Sequence, residues 1–425
     1  MQSNLAKVLH PLGGTPLLGH VLNAVESLGI RRIVVVAGHQ ADAVGRYVNK
    51  RAETVIQLPP RGTGHALLQT RGALKGVRGA ILVLCGDTPL VRPDVLVRLM
   101  RHHEQNPSDM TILSFNVDNP HGYGRILRPN GSKPLRIVEE ANATEEERRV
   151  REVNSGIYVL SARVFGILSK LPVRAPKNEI YLTDAVERLA AEGRAGVYLA
   201  EDDKAKKAAD FLMGINSRKD LLEAGRIKRR EVLNRLMESG VTIEDDATVF
   251  IDADVEIGRD TVICPNTVIE GPSKIGSGCR IGPFARIRAG VTLGNGVQIG
   301  NFVEVVRTRV GERTLVKHLS YIGDTELGAD ANIGAGTITA NYDGKKKHRT
   351  VIGDQANIGS GTVLIAPVKV GRRAVTGAGS VIPSGHDVAA GQTVAGVPAR
   401  LLKKGSTPNA AAQTRRSAKR KRSSK

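Results

Sequence analysis

The stretch IGSGCRIGPFARIRAGVTLGNGVQIGNFVEV, residues 275–305, carries an aliphatic side chain at every sixth position: Ile275, Ile281, Ile287, Leu293, Ile299 and Val305. Upstream the same phase holds through Ile251, Ile257, Ile263 and Ile269, and it resumes downstream at Ile352, Ile358, Leu364 and Val370. A strict period of six fits neither the 3.6-residue helix nor the two-residue strand. It is the signature of a solenoid in which each step is one short strand and one turn. Three steps close a triangular coil with the aliphatic residues stacked inward, and neighbouring coils cover each other's edges. Glycine often follows the aliphatic residue, as at Gly258, Gly276, Gly282, Gly294 and Gly300, where its permissive backbone is expected to let the chain turn a corner. The period is interrupted between about 306 and 350, and an interruption in a solenoid is expected to emerge as a loop on the binding face.

The rest of the composition fits such a core. Aromatics are 3% of the 425 residues and Trp is absent, so the interior is stacked from Val, Ile, Leu and Ala. A chain of this length holds two or three domains. No apolar run approaches the roughly 20 residues that cross a bilayer, and no charged-then-apolar leader opens the chain. The reading is a soluble cytoplasmic protein without membrane insertion. Cys85, Cys264 and Cys279 lack metal-ligand spacing and read as core thiols of a reducing compartment. The formal net charge is +20, and residues 405–425 hold Arg415, Arg416, Lys419, Arg420, Lys421, Arg422 and Lys425 with no acid. This segment reads as a disordered basic tail, either a solubilising extension or an arm for an anionic partner such as nucleic acid.

Before the solenoid, apolar runs alternate with helical spacing. Residues 32–37 and 80–84 are short, β-rich and apolar throughout, as buried parallel strands are. Pro16 to Leu28 and Pro93 to His102 have helical spacing and begin at a proline. The first half is therefore α/β with a doubly wound sheet. Lys219 to Met237 is charged, with Leu221, Leu222, Leu233 and Leu236 at helical spacing, and reads as a linker helix. The expected organisation is an α/β domain over 1–212, the linker over 213–240, the β-helix over 241–404 and the tail.

The six-residue repeat resembles the left-handed β-helix acyltransferases, homotrimers with acyl-CoA sites between subunits. Left-handedness comes from this resemblance, because general chirality rules favour right-handed crossovers. Residues 282–288 (GPFARIR), 300–304 (GNFVE), 318–324 (HLSYIGD) and 332–344 (NIGAGTITANYDG) narrow it. They are similar to the bifunctional N-acetylglucosamine-1-phosphate uridyltransferase and glucosamine-1-phosphate acetyltransferase family. Acetyl transfer to an amine needs that amine neutral and an oxyanion stabilised, and imidazole titrates in the working range. On its own His318 would read as a capping or core histidine; within this motif it is the catalytic base. The resemblance implies that Arg288 holds the sugar phosphate of glucosamine-1-phosphate and that Tyr321 and Asn332 line the sugar pocket. It further implies that Asn341 positions base or amine, and that Ala335, Asn341, Tyr342, Ser360 and Ala378 border acetyl-CoA. By the resemblance Val306 stands where a substrate-binding lysine is usual and Gly396 near an expected cofactor-binding arginine, and the adjacent Arg307 and Arg400 are the candidates to substitute for them.

The first half resembles the sugar-phosphate nucleotidyltransferases. Lys7 to Leu12, Gln57, Gly62-Thr63-Gly64-His65-Ala66, Cys85-Gly86-Asp87-Thr88-Pro89-Leu90, Gly122 to Ile126, Ile137-Val138-Glu139, Asn154 and Gly214 to Arg218 follow in family order. Asp87 comes after an apolar strand, where open α/β sheets bind ligands. By resemblance Lys7, Gln57, Gly62 and Thr63 meet UTP, Gly124, Glu139 and Asn154 the sugar, and Asp87 with Asn216 holds Mg²⁺. The product would be UDP-N-acetylglucosamine for cell-envelope synthesis, made in two steps, from acetyl-CoA and UTP. The family opens with an apolar strand and a glycine-rich triphosphate loop ahead of the residue aligned with Met1, and Ala6 replaces its usual proline. The expectation is a start assigned too late, with poor UTP binding if Met1 is the true start.

Three readings compete: the bifunctional enzyme; an acetyltransferase with an idle first domain, or another sugar-1-phosphate nucleotidyltransferase with a regulatory β-helix; and a non-enzymatic trimeric scaffold. The segments around His318 and Asn341-Tyr342 favour the first, since a regulatory helix has no need of them.

Overall fold

A computed structural model describes residues 1–106, 108–128, 135–173, 178–202 and 207–402. The basic tail at 405–425 lies outside the described residues. The chain divides into two compact units, Met1–Lys228 and Arg229–Lys425.

In the second unit every coil lays one short strand on each of three sheets, which have ten, eight and seven strands among the described residues and are parallel but for the last strand of the first. Ile263, Ile281, Ile299, Val316, Ile333 and Ile358 stack on one face. Ile251, Ile269, Ile287, Val305 and Ile322 stack on the second, and Ile275, Leu293, Val310 and Leu327 on the third. All of these are buried in one continuous core. Each buried aliphatic side chain contributes about 1.5–3 kcal/mol. Helix Arg218–Glu238 sends Val232, Leu233 and Leu236 into the same core beside Val241 and Val249. At the other end Ala399–Leu401 folds back antiparallel on Thr393–Gly396.

Two expectations need correction. The interruption of the period over 306–350 is real but does not break the stack of strands. Two successive coils, pairing Val305 with Ile322 and Tyr321 with Ile338, are each one residue short, at 17 residues, and strands continue in register through Ala340. Only the step pairing Leu327 with Ile352 is long, at 25 residues, and the insertion is confined to about 341–349. Losing one residue at a corner shifts the phase without disturbing the stack. The glycines after the aliphatic residues also do different work: of those named, only Gly282 has a positive φ. The others are sites of close approach. A Cβ on Gly276 would meet Asn295 N at 2.7 Å, and one on Gly300 would meet Lys317 O at 1.9 Å.

In the first unit Glu152–Leu160 is the hub of a mixed sheet. It pairs antiparallel with Met110–Asn116, Ile81–Val83 and Arg125–Leu127, and Ala195–Leu199 runs parallel to Met110–Asn116. Val34–Ala37 pairs in parallel with Glu53–Ile56 in a separate two-stranded sheet. Ile81–Val83 and Val34–Val36 are half-buried instead of buried. Each of these strands is paired on one side only among the described residues, so water reaches its other edge. Helices Leu17–Glu26 and Pro93–Gln105 press Leu17, Leu96 and Leu99 into the core.

Candidate active sites

In the β-helix the strand Leu315–His318 ends one face, and register pairs His318 with Asn301 of the preceding coil. His318 Nδ1 lies 2.8 Å from Asn301 Oδ1. An amide oxygen can only accept, so this contact places the proton on Nδ1 and leaves the Nε2 lone pair for a substrate. His318 is exposed, and Ser320 Oγ donates to its carbonyl at 2.8 Å. Two residues past the inward Val316, Ile333, Ile358 and Thr376, the same register stacks His318, Ala335, Ser360 and Ala378 in one column. Gly361 N donates to Ala335 O and Gly379 N to Ser360 O, both at 2.7 Å. The four residues therefore form a track of small side chains with an imidazole at its head.

Beyond the next face lies a second cluster. Asn341, buried, donates through Nδ2 to Asp324 Oδ2 and lies 3.5 Å from the Tyr321 hydroxyl. Gly323 makes room for both: a Cβ there would meet Tyr321 Oη and Asn341 Nδ2 at 2.7 Å each. Arg307 Nε and Nη2 donate to Asp324 at 2.6 and 2.7 Å. The Arg307 guanidinium, with help from Asn341, holds the Asp324 carboxyl below its usual range. Arg288 Nε is 3.8 Å from Glu270 and its Nη1 is 3.6 Å from Glu304. Asn332 stands apart from this cluster, donating to Asn357 Oδ1 at 3.1 Å. Tyr342, on the insertion, is 59% exposed and donates to Gly344 O. Val306, by contrast, is buried. Arg400 lies opposite Ala395 in the terminal antiparallel pair, beside Gly396.

The α/β unit gathers its predicted residues in three groups. Lys7 Nζ pairs with Asp87 Oδ2 and donates to Asn216 Oδ1 at 2.9 Å. Gln57 Nε2 donates to Gly62 O at 3.0 Å and contacts His65 Nδ1. Gly62 has φ +86° and no room for a Cβ, which would meet Ile180 O at 2.7 Å. Gly124 O accepts from Asn154 N at 2.8 Å, and a Cβ on Gly124 would stand 3.4 Å from Glu139 Oε2. Burial pushes the Glu139 carboxyl above its usual range despite a hydrogen bond from Thr183. Thr63 accepts from the backbone of the neighbouring Leu182, which ties the second and third groups together. Cys85 is a free thiol pushed up to about 12 by burial, so it is no nucleophile. Among the described residues no three His, Cys, Asp or Glu side chains cluster as a metal site, and no helix is long and apolar enough to cross a membrane.

Sequence reasoning missed Asn301, Asp324 and Thr183 as the partners that order these residues, and it named Arg307 only as a stand-in for the missing lysine. Asn301 and Asp324 lay inside motifs already singled out, but the pairings span 17 residues and needed the length of the short coils.

Comparison with known proteins finds two family models. Residues 1–156 match a MobA-like NTP transferase domain, and residues 272–307 and 349–384 match the bacterial transferase hexapeptide, in six repeats. The chain is 40% identical to a protein of Pelobacter propionicus named bifunctional protein GlmU, the alignment covering 92% of each. Proteins of the same name from Syntrophomonas wolfei and Rubrobacter xylanophilus are 41% and 39% identical over 90% and 95% of this chain, and over 92% and 91% of their own lengths.

Proposed function

Because the chain belongs to the family of bifunctional GlmU proteins, we infer that it is a bifunctional transferase that makes UDP-N-acetylglucosamine. The β-helix acetylates glucosamine-1-phosphate from acetyl-CoA, and the α/β domain transfers UMP from UTP to the product. The relatives' shared name carries two activities, which favours this reading over an idle domain, a regulatory helix or a scaffold. The observation that carries the acetyl-transfer half is His318, oriented by Asn301 at the head of the Ala335, Ser360 and Ala378 column.

His318 Nε2 takes a proton from the sugar amine as its nitrogen attacks the thioester carbon. The C–N bond forms, the C–S bond breaks and coenzyme A leaves as the thiol. Tyr321 and Asn341 hold the sugar, Arg288 faces its phosphate and Tyr342 completes the wall. In the other site Gln57, Gly62 and Thr63 read the nucleotide, while Gly124, Glu139 and Asn154 hold the sugar. A phosphate oxygen of N-acetylglucosamine-1-phosphate attacks the α-phosphorus of UTP and pyrophosphate leaves. Lys7 neutralises charge that develops there. Asp87 and Asn216 turn two hard oxygen donors onto one cation, Lys7 Nζ, and such a pair suits Mg²⁺, which takes few protein ligands. Bound there, the ion would screen the phosphates and offset charge on the leaving pyrophosphate.

The protein is a cytoplasmic homotrimer in this reading. Its three free cysteines, its substrates and the exposed stacked rings of Phe284 and Phe302 support that. Release of coenzyme A thiol on mixing the protein with acetyl-CoA and glucosamine-1-phosphate tests the first half, and pyrophosphate release from UTP tests the second. No thiol release would overturn the acetyl-transfer assignment.

A further inference from the structure

The fold treats the neighbours Val306 and Arg307 in opposite ways. Val306 is 1% exposed and offers a ligand nothing. Arg307 sits at φ +45°, at one of the left-handed corners that recur along the solenoid, with Asp324 at φ +50° on the same corner of the next coil. Its guanidinium reaches the next coil and forks onto Asp324, whose carboxylate also takes Asn341 Nδ2. The fork uses the Nε and Nη2 edge. The remaining donors of a side chain 40% exposed are left for Tyr321, which lies against it, and for an anion. A lone surface arginine would be a mobile cation. This one is fixed by a carboxylate, which is how planar bidentate recognition of an oxyanion is prepared. A second cation, Lys347, also acts on Asp324.

We propose that Arg307 is a substrate-binding residue of the acetyltransferase site and takes the phosphate of the amino-sugar phosphate, a role the buried Val306 cannot fill. The inference rests on the acetyl-transfer reading, with Asp324 as the group that positions Arg307 and Asn341 together. Arg288, the other arginine of this region, is held less closely, at 3.6 and 3.8 Å from its two carboxylates.

The test is calorimetric binding of glucosamine-1-phosphate to the full chain, with steady-state acetyl transfer alongside it. Arg307→Ala should weaken binding about tenfold or more, as loss of a charge-assisted contact does. KM for glucosamine-1-phosphate should rise with it, with kcat within about threefold and KM for acetyl-CoA within about twofold. Inorganic phosphate should lose its competitive inhibition in parallel. Arg307→Lys keeps a cation beside Asp324 without the fork and should recover part of the affinity, whereas Arg307→Gln should not. Unchanged affinity for glucosamine-1-phosphate in a variant that melts like the wild type overturns the proposal. So does a fall in kcat without a change in KM, which would make Arg307 a brace for Asn341. Turnover by the wild type tests the acetyl-transfer reading and binding tests Arg307, so the two can fail separately.

Discussion

A single amide oxygen decides which nitrogen of His318 can act. With Asn301 Oδ1 at 2.8 Å from Nδ1, the basic lone pair sits on Nε2. His318→Ala should remove acetyl transfer by a factor of about 10² or more, the usual weight of a general base, while the melting temperature stays put. Asn301→Ala should lower kcat about tenfold with little change in either KM, because one orienting hydrogen bond is lost; equal turnover would remove Asn301 from the mechanism. Asp324 gives a pH signature. Arg307 depresses its folded-state pKa, so its contribution to stability is present above the ordinary aspartate range near 4 and is lost as pH falls through the depressed value. The melting-temperature gap between wild type and Asp324→Asn should therefore be full at neutral pH and shrink in acid. A gap that widens in acid would contradict the Arg307 pairing. At this scale the sequence was half legible. His318, Tyr321 and Asn341 stood out because their motifs are dense in functional side chains. Their partners did not, because a hydrogen bond between coils depends on a register that no local motif contains.

A coil of the β-helix is a unit whose stability is shared with its neighbours. Ile299 stacks between Ile281 and Val316 at 1% exposure, so Ile299→Ala leaves a cavity that adjacent strands, pinned by their ladders, cannot close. The expected cost is about 2–5 kcal/mol, read as a shifted denaturation midpoint. Gly323→Ala should act differently, because its Cβ would displace Tyr321 and Asn341 instead of emptying the core. We expect acetyl transfer to fall about tenfold or more with a smaller loss of stability, since two side chains proposed to hold the sugar must move. The six-residue columns were legible because stacked coils demand an inward aliphatic at each turn. The two short coils were not: deletion of one residue per coil and a real break look alike to a period count. The glycines were misjudged for a related reason. Sequence shows that a position is glycine but not whether φ or the next coil's backbone requires it, and at Gly276 and Gly300 it is the neighbouring backbone.

The two halves of the molecule could be read from sequence because they have different periods, and helix Arg218–Glu238 falls where the period changes. Assembly could not be read that way, since it depends on what lies outside one chain. Phe284 and Phe302 hold left-handed φ values of 56° and 55°, and their rings stack 5.2 Å apart, each about half exposed. Leu319, beside His318, continues this edge at φ 48° and 61% exposure. Bulky side chains at such corners are strained where asparagine or glycine would not be. An apolar edge of this kind, left open to water, marks an interaction surface. A second and third copy of the chain are the partners proposed for it, and the edge runs alongside the His318 column. Phe284→Asp with Phe302→Asp should then lower the mass seen by sedimentation equilibrium from trimer to monomer. It should also weaken acetyl transfer, because the resemblance implies an acyl-CoA site between subunits, which would go with the contact. The pyrophosphorylase half should keep its rate, since its residues all lie in the first unit. A wild type that sediments as a monomer, or a double variant that remains trimeric, would assign these rings to some other contact.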